Sequence, residues 1–301
     1  MNNSLKFLTV TALAASLAAC GGDGGDSQAT GTLSLGITDA PVDELKEVNI
    51  TVTGVEIKPA SGESRRYDFE EPLALDLLAL QGGNAALLLN DEEVPAGEYN
   101  WVRLYISTEP GELTAVDMNG GVHDLYIPSG AQTGLKLVSG FTVPAGGDAD
   151  FTIDFDVRKS IVDPQGSNPS GAEYFLKPAL RLIDNVEAGT ISGTVDGTLI
   201  AEACTDAATF DGGVYVHTGA DQVPDDLGST NEPLVIAPVA FDGTAYSYTA
   251  AFISAGNYTV SYTCDLDTRE DANGELVDEE LTFYGTQNVT VVADTTTTAD
   301  F

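Results

Sequence analysis

The acidic segment Asp265-Leu-Asp-Thr-Arg-Glu-Asp-Ala-Asn-Gly-Glu275 places Asp265, Asp267, Glu270, Asp271 and Glu275 in one short polar run. Clustered carboxylates can ligate a hard cation such as calcium, which takes about six to eight oxygen ligands. A calcium site at Asp265, Asp267, Glu270 and Asp271 is the chemistry this spacing suggests. It departs from the EF-hand pattern, because Arg269 stands where the third ligand would be. The competing reading is a solvated hairpin loop. Asp150, Asp154 and Asp156 form a second acidic group, read as the wet face of a strand partly neutralised by Arg158.

Tyr99, Trp101 and Tyr105 share strand phase with Arg103, while Val102, Leu104 and Ile106 take the opposite face. An exposed row of rings can stack on the C–H faces of sugars, so these three residues are candidate glycan ligands. The competing reading is a central strand buried on both sides. Nucleophilic hydrolysis has no comparable support. His123 and His217 are the only histidines, both read as strand-surface residues, and no Gly-x-Ser-x-Gly elbow occurs. Carboxylate pairs for glycoside hydrolysis cannot be singled out among 47 acidic residues. A non-enzymatic chain is expected, with no cofactor other than a candidate calcium ion.

The remaining chemistry belongs to cysteine. Cys20 follows an apolar run from Phe7 to Ala19 that is too short to span a bilayer and is preceded by Lys6, the pattern of a signal peptide over residues 1–19. Residues 20–30 continue as a Gly/Asp/Ser-rich, apolar-poor tether. Leu17-Ala18-Ala19-Cys20 resembles the lipobox of bacterial lipoproteins. That resemblance implies diacylation of the Cys20 thiol, cleavage before it and attachment to the membrane through N-terminal lipid. Gly21 in place of an aspartate implies the outer membrane, facing the periplasm or the surface. In an oxidising compartment the even pair Cys204 and Cys264 reads as a disulfide. Cys264 shares phase with Tyr258, Val260 and Tyr262, which points to a buried bridge. With no Cys-x-x-Cys and no clustered histidine, zinc and redox sites are not expected.

These residues must be held by strands. Alternation is clear in Leu33, Leu35 and Ile37, and in Val48, Ile50 and Val52, where Gly54 then shifts the phase to Val55 and Ile57 in the manner of a β-bulge. Phe151, Ile153, Phe155 and Val157 mark a half-buried antiparallel strand. Asn119-Gly120, Asp211-Gly212, Asp242-Gly243 and Asn273-Gly274 read as turns. A single helical turn at Asp39 to Leu45, capped by Asp39, and a short apolar piece from Leu73 to Leu80 are the helical exceptions. The motif Val94-Pro-Ala-Gly-Glu-Tyr99 recurs as Val143-Pro-Ala-Gly-Gly147 and Ile253-Ser-Ala-Gly-Asn-Tyr258, each time before an alternating strand whose first aromatic or apolar residue enters the core.

The expected fold class is all-β: two tandem antiparallel β-sandwich domains, immunoglobulin-like or transthyretin-like, over residues 31–187 and 188–301. A balance of 12 Lys and Arg against 47 Asp and Glu, a formal charge of −35, excludes nucleic acid and anionic lipid surfaces as natural partners. The segments "GTLSLGITDAPV" (31–42), "VTGVEIKP" (52–59), "DLLALQGG" (76–83), "VPAGEYNWVRL" (94–104) and "FLKPALRLI" (175–183) resemble, in order, a bacterial lipoprotein family carrying domain of unknown function 4382. The resemblance implies a β-rich envelope domain without assigning a catalytic residue. "GTISGTVDGTL" and "SAGNYTVSYTC" resemble carboxypeptidase-regulatory-like or transthyretin-like modules, which serve as spacers or binding units. The functional expectation is a lipid-anchored envelope binding or scaffolding protein, its partner a glycan or an envelope protein; the alternative is a calcium-dependent carbohydrate- or matrix-binding adhesin.

Overall fold

A computed structural model describes residues 28–40, 45–128, 134–162, 174–177, 179–204, 211–267, 269 and 275–301. Strands dominate. The N-terminal part holds β1 (Thr30–Ala40), β2 (Leu45–Pro59), β3 (Arg65–Asp76), β4 (Ala86–Pro95), β5 (Gly97–Ile106), β6 (Thr114–Asp117) and β7 (Val122–Tyr126). It continues with β8 (Leu135–Leu137), β9 (Phe141–Val143), β10 (Asp148–Asp156), the one-turn helix α1 (Val157–Ser160), β11 (Ile161–Val162), β12 (Tyr174–Leu176) and β13 (Leu180–Asp184). The C-terminal part holds β14 (Ala188–Val195), helix α2 (Gly197–Ala203), β15 (Gly213–Thr218), β16 (Val235–Pro238), β17 (Ala240–Phe241), β18 (Tyr246–Ser254), β19 (Gly256–Thr263), β20 (Tyr284–Val291) and β21 (Thr296–Thr298).

The strands form four sheets. In the N-terminal part a sheet ordered β13-β10-β1-β4 faces a nine-stranded sheet whose main path is β11-β12-β7-β6-β2-β5-β8, with β3 on β2 and β9 on β5. Leu33, Leu35, Ile37, Ile153 and Phe155 from the first sheet pack with Val48, Ile50, Val55, Val102 and Leu104 from the second in one continuous core. In the C-terminal part the sheets run β17-β18-β14-β21 and β16-β15-β19-β20. Ile191, Tyr248 and Ala250 meet Val214, Val216, Val260 and Tyr262 in a second core. Among the described residues no strand is shared between the two pairs of sheets. Apolar alternation drives this arrangement, since each strand offers one face to be removed from water.

The local signals fare unevenly. Register shifts in the pairings of β2 with β3 and with β5 fall between Val52 and Gly54, so the phase change is a bulge. A Cβ on Gly54 would lie 2.6 Å from the carbonyl oxygen of Tyr67, which explains the glycine. Gly120 and Gly243 turn hairpins with left-handed φ of 85° and 97°. Asn273-Gly274 lies outside the described residues; Asp211-Gly212 leads into β15, and residues 205–210 before it lie outside the described residues as well. Leu73 to Leu80 divides between the end of β3 and a 3-10 turn at Leu77–Leu80, where the Asp76 carboxylate accepts from the Leu78 amide. Asp39 supports the start of a different helix from the one expected, one whose N-cap is Asp156. Asp39 ends β1 next to β10, and its Oδ1 accepts from the Val157 amide at the start of α1, while residues 41–44 lie outside the described residues.

Two expectations about β10 are corrected. Its neighbour β1 runs parallel to it, although β13 on the other side is antiparallel. Beyond Asp150, which is exposed, its acidic face is not wet. Asp154 is 5% exposed and receives Arg181 Nε at 2.5 Å, and Asp156 caps α1 through the Lys159 amide. The reason is that this face is covered by the C-terminal part of the chain: Thr38, Asp39, Asp154 and Arg181 line a crevice with Ile236 and Ala250 opposite. Val157 and Arg158 belong to α1 and leave the strand altogether.

Candidate functional site

β5 carries the predicted aromatic row, and the structure divides it. Lys58 pairs with Trp101 but Pro59 pairs with Tyr99, so Asn100 is an extra residue in the ladder and Tyr99 changes face. Tyr99 is 2% exposed, stacks on Phe141 at 4.7 Å between centroids, and donates its hydroxyl to the Pro95 carbonyl at 2.7 Å. Its side chain belongs to the core and is not a ligand-binding group on this face. Trp101, Arg103 and Tyr105 remain together, half-buried, on the outer face, while Val102, Leu104 and Ile106 are buried on the inner one. Only the inner face of β5 is therefore closed off.

Around these rings the sheet assembles a charged row that sequence reading missed. Arg66 of β3 pairs with Glu56 of β2, Glu56 with Arg103 of β5, and Arg103 with Lys136 of β8. Arg103 donates to Glu56 at 3.0 Å and the Tyr105 hydroxyl donates to the same carboxylate at 2.7 Å. Burial pushes Glu56 up, but hydrogen bonds from Ser64 and Tyr105 and the Arg103 guanidinium outweigh it and hold the carboxyl below its usual range. The Arg66 guanidinium lies 3.7 Å from the centre of the Tyr105 ring, and Arg103 and Lys136 each lie 4.7 Å from that of Trp101. Cations already pack on the rings that sugar faces would need.

The acidic prediction is also rearranged. Asp265 Oδ2 accepts from the Thr282 amide at 2.6 Å, and Asp267 Oδ2 accepts from the Tyr215 hydroxyl and the Leu227 amide at 2.8 and 3.0 Å. Glu270 and Asp271 lie outside the described residues. Three other acids converge instead. Carboxylate oxygens of Asp225, Asp226 and Asp278 lie within 4.8 Å of one another. Asp226 is fully buried and accepts from the Glu279 amide through Oδ2 at 2.6 Å, while its Oδ1 is buried without a hydrogen-bond partner. Burial pushes the Asp226 carboxyl up, and the charges of Asp225 and Asp278 act in the same direction.

The elements behind this group are irregular. Residues 219–234 and 276–283 cover the outer face of the sheet that holds β15, where Tyr215, Leu227, Ile236, Leu281 and Phe283 form a small separate core. His217, read from sequence as a surface residue, is fully buried there beside Tyr215 and Phe283, its Nε2 3.2 Å from the Asp225 amide. Burial lowers its pKa, and the same nitrogen lies 3.2 Å from the Asp225 carbonyl oxygen as well. His123 is half-buried and pairs with Asp117 at 2.9 Å in the turn between β6 and β7. Neither histidine faces a nucleophile in these contacts.

Cys204 and Cys264 form the expected disulfide, with a Cα–Cα distance of 5.2 Å, joining the end of α2 to the end of β19. Cys204 is buried, and its Sγ lies 3.2 Å from the Tyr262 hydroxyl. Cys20 lies outside the described residues. Among the described residues no helix is long and apolar enough to cross a membrane.

No curated protein matches the sequence. Among solved structures, the chain is similar to a leucine-rich repeat protein from Bacteroides thetaiotaomicron VPI-5482, with 13% identity over 90% of this chain and 26% of that one, at a TM-score of 0.20. It is also similar to the Bacillus anthracis TIE protein, with 11% identity over 91% of this chain and 34% of that one, at a TM-score of 0.20. GBS52, the minor pilin of Streptococcus agalactiae, shares 11% identity over 90% of this chain and 94% of that one, at a TM-score of 0.21. The chain spans well under two thirds of the first two proteins, and likenesses this slight carry no argument about function. The sequence comparison is more definite about the N-terminal core: residues 30–178, which contain β1 to β12, match the family described as Domain of unknown function (DUF4382).

Proposed function

We propose that this chain is a non-enzymatic, lipid-anchored binding or scaffolding module of the bacterial cell envelope, with two tandem β-sandwich domains divided near residue 187 and carried on the tether of residues 20–30. The observation that carries this reading is the junction Leu17-Ala18-Ala19-Cys20: an apolar leader ends on a cysteine and is followed by a run that cannot contribute to a core. The disulfide and the acidic surface suit an exterior location. A glycan or envelope protein would be read at the outer face around Trp101 and Tyr105, where Arg66, Arg103 and Lys136 favour an anionic partner over a neutral one.

Cys20→Ser tests the anchor. In cells, the wild-type chain is expected in the membrane fraction and extractable by detergent. The variant is expected to leave that fraction while keeping the Cys204–Cys264 bridge. A variant that stays in the membrane fraction to the same extent as wild type, or a wild-type chain found in the cytosol, would contradict the proposal.

A further inference from the structure

We infer that Asp225, Asp226 and Asp278 form a calcium site that ties the 219–234 connection to the 276–283 segment across the outer face of the sheet holding β15. Two independent features support this assignment. The first is geometric: oxygens on one calcium ion lie up to about 5 Å apart, given Ca–O distances of about 2.5 Å. The three carboxylates meet that requirement, with oxygens within 4.8 Å of one another.

The second is an unsatisfied buried group inside the cluster. Asp226 is 0% exposed, and its Oδ1 has no hydrogen-bond partner. A buried carboxylate oxygen without a donor is costly, and the charges of Asp225 and Asp278 acting on this carboxyl have its own sign. A divalent cation would satisfy that oxygen and compensate all three charges. Asp267 lies close enough to add a further negative charge to the same region, and its Oδ1 is also a buried oxygen without a hydrogen bond.

The donor set selects the ion. All three side chains offer hard oxygen, without thiolate or imidazole, which disfavours zinc. Asp278 is exposed, so the ion's remaining positions open to water. Calcium tolerates such irregular, partly hydrated coordination better than magnesium, which requires near-octahedral geometry. Two of the three ligands are adjacent in sequence, and the third lies 52 residues on, beyond β19. The ion would therefore close a loop between two segments that lack regular structure. This inference does not depend on the anchor at Cys20 or on any partner.

The test is calorimetric titration of calcium chloride into the full chain, purified in detergent and stripped of metal, at fixed ionic strength, with magnesium chloride and sodium chloride as comparators. One calcium ion per chain is expected to bind, more tightly than magnesium. Asp226→Asn and Asp278→Asn are each expected to weaken binding at least tenfold, while Asp265→Asn leaves it within twofold. Calcium is expected to raise the melting temperature of the wild type and not that of the two site variants. Asp278 is exposed, so Asp278→Asn should fold in chelator and keeps the test informative if Asp226→Asn does not. Absence of calcium binding by a chain that is folded in chelator would overturn the inference, as would wild-type affinity in Asp278→Asn; the three acids would then be sharing protons.

Discussion

Tyr99 and Tyr258 do the same work in the two halves of the molecule. Each follows a small-residue-plus-glycine turn, enters the core at the start of a strand, and donates its hydroxyl to the carbonyl four residues upstream, at 2.7 Å in both cases. The hydroxyl closes the corner from which the strand departs, much as in the tyrosine corners of β-sandwiches. Tyr258→Phe keeps the packing and removes one partly buried hydrogen bond, so it should cost about 1 kcal/mol in urea unfolding. An unchanged midpoint would show that the turn holds without it. The turn motif, and the entry of Tyr258 into the core, were legible in the sequence because both are local. The convergence of Asp226 on Asp278 was not, because it depends on two irregular segments crossing the same sheet. The burial of His217 was hidden likewise, since strand alternation says which residues share a face and not what covers it.

Single elements show where local pattern stops being sufficient. The bulge at Gly54 could be read directly, because a phase shift at glycine has one common cause. The bulge at Asn100 could not, because Tyr99, Trp101 and Tyr105 keep an even spacing across it in sequence. That insertion alone moved Tyr99 from the outer face to the core. In β10 the alternation was correct, yet Asp154 is buried because Arg181 of β13 reaches it and the C-terminal part covers the face. The disulfide tests the energetic role of a link between elements. It joins residues 60 apart, so losing it should cost about 4 kcal/mol on a chain-entropy account. Urea unfolding of Cys204→Ala/Cys264→Ala is expected to show a loss of that order, and a loss below about 1 kcal/mol would mean that α2 and β19 are already held by packing.

At the scale of the molecule, two cores with separate sheets meet along the outer face of the sheet that holds β1. The Lys159 ammonium of one part lies 2.8 Å from Glu232 of the other, and Arg269 lies 3.6 Å from the same carboxylate. Packing of this kind lets the two parts present one continuous surface, as the proposed binding or scaffolding role requires. The all-β architecture followed from strand alternation and turn spacing along the whole chain. The face shared between the parts did not, because its residues alternate like those of any solvated strand. The central claim concerns how that object is held at the envelope, and intact-mass and N-terminal peptide analysis of the chain purified from its native membrane measures it most directly. The account predicts an N-terminus at Cys20 carrying a thioether-linked diacylglycerol, with residues 1–19 removed. An unmodified Cys20, or a chain that retains residues 1–19, would contradict it.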